Sequence, residues 1–137
     1  MSDLKKVEVS AAVIVKDGNI FATQRGLGEF QGKWEFPCSE VSDDENMEDA
    51  LIREVKQDLN ADINVIDYLT TVRYDYPNYH LVMHTYICTL KNGTDIICED
   101  DKSDHKLWLQ KESLEDVDWV PADVVAVKEY KKLRRIA

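Results

Sequence analysis

The sequence predicts an α/β fold in which a mixed sheet is sandwiched between helices, formed by a single domain over residues 1–137. Three observations predict it. Apolar, β-branched runs recur at 7–15, 20–25, 63–76 and 80–90, punctuated by Asp-Gly, Pro-Asn and Asn-Gly turns. Two segments of helical period interrupt them, one near the middle and one closing the chain. The composition, 44% hydrophobic and 32% charged over 137 residues, suits a chain long enough to bury a real core.

The elements follow in order. Val7–Val15 and Ile20–Arg25 flank Asp17-Gly18, a strong hairpin signal because a type I′ turn needs positive φ at both central positions. Arg25-Gly26-Leu27-Gly28 then leaves the second strand through a loop that leads to Trp34-Glu35-Phe36-Pro37. Asn46 can cap a helix, with Asp49 supplying a capping-box acid, and Asn60 can take the left-handed position at its far end. Leu51, Ile52, Val55 and Leu59 fall within one arc at about 100° per residue and are expected to be its buried stripe. Residues 63–76 read as one or two strands, Pro77-Asn78 as a turn, and 80–90 as a long strand. Asn92-Gly93 is a second hairpin-type turn, and 106–109 a short strand. Pro121 suits the first turn of a last helix, 122–133, whose basic C-terminal end complements the dipole.

Charge and cysteines set the bounds on function. Lys+Arg 17 against Asp+Glu 27 gives −10, which disfavours sequence-independent binding to a nucleic-acid polymer. An anionic small substrate needs a metal or a local basic cluster to be accepted. Cys38, Cys88 and Cys98 are an odd, unpatterned set, and no leader or long apolar run is present. A reduced, cytoplasmic setting without a membrane partner is therefore expected.

The chemistry concentrates in residues 34–61. Arg53, Glu54, Gln57 and Asp58 share one arc of the helix. Glu54 and Asp58 are four apart, so two carboxylates stack on one face and repel by a few tenths of a kcal/mol. A divalent cation between them reverses that sign, and Mg²⁺ favours hard oxygen ligands completed by substrate phosphates.

This stretch resembles the Nudix box, G-x5-E-x7-R-E-U-x-E-E-x-G-U with U aliphatic. Glu45 takes the first acidic position, Arg53 and Glu54 the Arg-Glu pair, and Val55 the first U. The box is degenerate. Ser39 stands at its Gly and Cys38 at the Gly that often precedes it, Gln57-Asp58 at Glu-Glu, and Asn60-Ala61 at Gly-U. The likeness extends to the MutT-like branch through Arg25-Gly26, Trp34 to Pro37 and Asp118 to Asp123, and so covers nearly the whole chain.

The resemblance implies a Nudix-type α/β/α sandwich and hydrolysis of a nucleoside triphosphate to monophosphate and pyrophosphate with Mg²⁺ or Mn²⁺. It assigns Glu54 as metal ligand or base, Asp58 as second ligand, and Glu45 and Arg53 as the supporting ion pair. Gln57 keeps an acceptor oxygen without the charge, and Cys38 offers a backbone carbonyl to metal. A side chain at 38 or 39 is expected to strain the loop if positive φ is required there. A further metal-binding Glu lies six residues before a Trp in many members. Counting back from Trp108 gives Lys102, with Asp101 one residue away.

On the substrate side, Arg25 is either a nucleotide contact or a solvated strand-end cation. Asp123 is either a reader of the base edge or a plain helix-start acid. Tyr76, within the run Tyr74, Tyr76, Tyr79, is either a base-stacking residue or sheet packing. His80 and His84, four apart on a strand, are too distant to form a metal pair. The alternatives to slow or altered catalysis are a catalytically impaired nucleotide-binding or regulatory protein of this fold, or a domain whose carboxylates are only a solvated face.

Overall fold

A computed structural model describes residues 4–96 and 105–133 of the chain. Its centre is β1 (Lys5–Lys16), a strand buried on both faces through residues 9–14. Such a strand reads as a continuous apolar run because neither face meets water. It pairs in parallel with β6 (Tyr79–Leu90), from Lys5 opposite Tyr79 to Ile14 opposite Cys88. On its other edge it pairs antiparallel with β4 (Cys38–Glu40), and at its end with β2 (Asn19–Gln24). The path runs β3 (Trp34–Glu35), β2, β1, β6, β5 (Ile63–Tyr76), with β7 (Lys106–Gln110) beside β2. The sheet is therefore mixed, as the alternation of elements implies.

Alternate residues of β1 feed two cores. Val9, Ala11 and Val13 pack with α2 (Pro121–Lys131) through Ala122, Ala126 and Val127. Ala12 and Ile14 pack with α1 (Met47–Leu59) through Leu51 and Val55. One helix thus covers each face. Ile52 is the exception to the expected stripe, with 37% of its surface exposed while Ala50 has none. The sheet-facing arc of α1 runs from Ala50 to Val55, which leaves Ile52 on the rim. The same arc contains position 54, so Glu54 is drawn partly under the helix.

The turns follow their residues. Asp17 (φ 52°) and Gly18 (φ 79°) meet the type I′ requirement, and Asn60 (φ 52°) closes α1 in the left-handed region. The Asn46 side chain accepts from Asp49 N–H at 2.7 Å. Residues 63–76 form one strand with two irregularities, between Val65 and Asp67 and between Tyr68 and Thr70. The Asn92-Gly93 turn forms, with Gly93 at φ 83°, but among the described residues no strand returns from it onto β6, and β7 pairs with β2. The last helix starts at Pro121 and ends at Lys131.

Candidate active site

A cleft of about 590 Å³ opens beside β1, between the strands carrying residues 35–40 and the start of α2. Arg53, Glu54, Cys38 and Ser39 line one end. Tyr76, Tyr79, Leu81, Met83, Val120 and Asp123 line the other, with Arg25 and Glu35 on the wall. A smaller cavity of about 260 Å³ lies behind residues 35–38 and includes Asp58. The two spaces share Glu35, Cys38 and Glu54.

The charged end is built by α1 and the turn before it. Glu45 receives Arg53 in a two-point contact, Nε to Oε2 at 2.7 Å and Nη2 to Oε1 at 3.0 Å. This guanidinium holds the Glu45 carboxyl well down, to about 2. Glu54 moves the other way, to about 7. Its hydrogen bond to Asp58 is the largest cause, followed by burial and the Asp58 charge. Two carboxylates meeting on one helix face oppose each other's charge, which is an arrangement a divalent cation relieves. The donor set fits a hard ion: two carboxylates from one rigid helix and the carbonyl of Cys38 nearby. Among the described residues, no three His, Cys, Asp or Glu side chains gather as an all-protein cage. Asp101 lies outside the described residues.

Cys38 and Ser39 are ordinary strand residues. Neither has positive φ; both lie in β4, opposite Ala11 and Ser10 of β1. The expected strain from side chains at these positions is therefore absent, because strand pairing holds the backbone extended. Gln57 is exposed and lines neither cavity, and its Oε1 accepts from Arg53 Nη1 at 3.4 Å.

At the apolar end, Asp123 is buried, with 5% of its surface exposed. Phe36 N–H donates to its Oδ2 at 2.8 Å. Burial nevertheless pushes its carboxyl up to about 8, the Phe36 bond and Arg25 opposing. Tyr76 is also buried, and its hydroxyl accepts from Ala122 N–H at 3.0 Å. Its ring meets Phe30, Tyr74 and Tyr79 at centroid distances of 5.3, 4.7 and 5.1 Å. Of the tyrosine run, Tyr79 is the more open cleft residue. Arg25 lies 3.4 Å from Glu35, whose carboxyl is raised by burial. His80 and His84 do not share a ligand: the first contacts Asp75 at 2.5 Å, the second Glu8 at 2.7 Å.

The structure thus brings Glu54, Arg53, Cys38, Arg25, Tyr76 and Asp123 to one cleft, with Asp58 at the adjoining cavity and Glu45 behind Arg53. The sequence assigned nothing to Glu35 and Glu40, which also line the cleft, and Tyr79 joins them there from the tyrosine run. For Glu35 the available signal was its place beside Phe36 on the strand leading into the acidic loop.

In sequence and in fold the chain is similar to known proteins. The family model of the NUDIX domain matches residues 5–136. An 8-oxo-dGTP diphosphatase of Proteus vulgaris is 36% identical over 91 residues, covering 65% of this chain and 81% of that protein. A CTP pyrophosphohydrolase of Escherichia coli is 27% identical over 132 residues, 96% of each chain. Among solved structures, the E. coli ORF135 protein superposes with a TM-score of 0.79 at 25% identity, over 96% of this chain and 92% of that one. The MutT protein of a methicillin-resistant Staphylococcus aureus gives 0.71 at 32% identity, over 93% and 97%. A cleft with the Glu54/Asp58 helix at one end, on a fold shared with these proteins, makes this chain a member of the Nudix family, a MutT-like Nudix hydrolase.

Proposed function

We propose that the protein hydrolyses a nucleoside triphosphate to monophosphate and pyrophosphate with a divalent ion. The carrying observation is a cleft with Glu54 at one end, Asp58 at the adjoining cavity, and an aromatic, acid-bearing pocket at the other end. The base occupies the apolar end, where Tyr79 and Tyr76 offer ring surface and Asp123 a hydrogen-bonding edge. Arg25 faces the nucleotide from the wall, and Glu35 keeps it from collapsing onto the apolar floor.

The triphosphate then runs toward α1. Glu54, Asp58 and the Cys38 carbonyl would hold Mg²⁺ or Mn²⁺, which supplies charge neutralisation and a more acidic bound water. Glu54, at that end of the cleft, is placed to hold or accept a proton at its carboxylate. Arg53 fixes that side chain from behind, and Glu45 fixes Arg53. The smaller cavity beside Asp58 is room for the departing pyrophosphate.

Two relatives point to different bases, cytosine and oxidised guanine. We infer a preference for a base that presents an exocyclic amine to Asp123, a requirement both meet. The test is a nucleotide panel containing CTP, dCTP and 8-oxo-dGTP, with Mg²⁺, with Mn²⁺ and with EDTA, scored for pyrophosphate and phosphate separately. Pyrophosphate release that stops in EDTA supports the reading. Binding by calorimetry with no turnover favours a catalytically impaired nucleotide-binding protein instead.

A further inference from the structure

Two departures from the box, Ser39 and Gln57, meet at one group. Arg53 carries five N–H donors in a fixed fork. Its Nε and one Nη2 hydrogen go to Glu45. The other Nη2 hydrogen goes to Ser39 Oγ at 3.2 Å. Nη1 donates to Gln57 Oε1 at 3.4 Å and lies 3.8 Å from Glu54 Oε1. Ser39 is 6% exposed, and its hydroxyl passes its own proton to the Glu40 carbonyl at 2.9 Å. The hydroxyl also meets the Glu54 carboxylate, and its lone pairs are left toward Arg53. Glycine at 39 has no atom to offer there.

We infer that Ser39 and Gln57 are positioning residues that hold Arg53 and, with it, Glu54, Ser39 also touching Glu54 itself. They form a neutral cradle that fixes the guanidinium in the one orientation that serves Glu45 and Glu54 together. The acceptor at 57 is neutral, so it adds no third carboxylate to Glu45 and Glu54 around the one guanidinium. Ser39 then supplies, from β4, an anchor on the opposite side of the guanidinium from Gln57. The two substitutions relative to the box are complementary, not independent losses. The role of Ser39 and Gln57 in catalysis rests on the reading of Glu54 as the carboxylate at the reacting end; their hold on Arg53 does not.

The experiment has one readout free of activity and one within it. In the metal-free protein, hydrogen exchange of the Arg53 Nε–H is followed by NMR in Ser39→Ala, Ser39→Thr, Gln57→Ala and the Ser39→Ala/Gln57→Ala double variant. Exchange should quicken about tenfold in Ser39→Ala, by less in Gln57→Ala, and stay near wild type in Ser39→Thr, which keeps the hydroxyl. On the best nucleotide of the panel, Ser39→Ala should lower kcat about tenfold with KM within about twofold, and Ser39→Thr should recover most of it. The double variant should lose less than the product of the two single losses, because both act through one group. Exchange and kcat unchanged in Ser39→Ala and Ser39→Gly, or single losses that multiply, would overturn the inference. If the wild type turns over no nucleotide, the proposed function falls, and the exchange measurement alone still decides whether Ser39 and Gln57 hold Arg53.

Discussion

Asp123 and Tyr76 carry the sharpest residue-scale consequences, because each is buried with one named partner. The Asp123 carboxyl is raised from 3.8 to about 8 by burial, with Glu35 adding to the shift and Arg25 opposing it. The folded protein therefore keeps a proton that the unfolded chain releases. Its contribution to stability is fully present below about pH 4 and is lost as pH rises through about 8. Urea unfolding should accordingly show the wild type losing stability between pH 5 and pH 9, and Asp123→Asn losing less over that window. Asp123→Ala should weaken the preferred nucleotide by about 1–3 kcal/mol, the cost of an unpaired buried polar group. Equal affinity for all bases before and after that change would remove Asp123 from base selection. Tyr76→Phe should cost about 1–3 kcal/mol in the same urea experiment, because it leaves the buried Ala122 N–H without its acceptor. An unchanged midpoint would mean that the helix start finds another partner.

Among the elements, α1 matters most, since one helix supplies both a core face and the carboxylate face. Leu51 is fully buried on the sheet side, so Leu51→Ala should destabilise by about 2–5 kcal/mol. Asn60 tests the helix end. In the left-handed region it should tolerate Gly with little change, while Asn60→Ala should cost about 1 kcal/mol in chemical denaturation. If Ala is as stable as Asn, the C-cap does not depend on that conformation. Local signals at this scale were legible in the sequence: the Asn46 cap, the Asn60 end and the Asp17-Gly18 turn all depend on neighbours within a few residues. The position of Cys38 and Ser39 was not legible. Their ordinary backbone comes from pairing with Ser10 and Ala11, a contact between residues far apart in the chain. Ile52 fell outside its expected stripe for a similar reason, since where a helix sits on a sheet decides which edge of its apolar arc is covered.

For the whole molecule, the alternation of strands and helices was enough to read a mixed sheet between helices. It could not say which strands pair. The parallel pairing of β1 with β6, and the antiparallel pairing of β7 with β2 rather than β6, join segments separated by most of the chain. The aromatic end of the cleft exists only once that pairing is made, which is why Glu35 carried no site signal beforehand and the tyrosine run could not be told from sheet packing. Net charge also acts at this scale. A chain of −10 repels a triphosphate, and Arg25 and Arg53 are each engaged with a carboxylate. Nucleotide affinity measured by calorimetry in EDTA should therefore tighten as NaCl rises from about 20 to about 200 mM, through screening of the acidic surface. A steep weakening would instead reveal a basic binding surface.

The central claim is that binding and chemistry occupy opposite ends of one cleft, with Glu54 at the chemical end. Glu54→Gln separates them, since it keeps the shape of the side chain and removes its charge. Single-turnover pyrophosphate release and calorimetric nucleotide affinity would be measured on the same preparation, with Mg²⁺ for release and EDTA for affinity. Release should fall by about a hundredfold or more, while affinity stays within about threefold of wild type. Release at the wild-type rate would contradict the account.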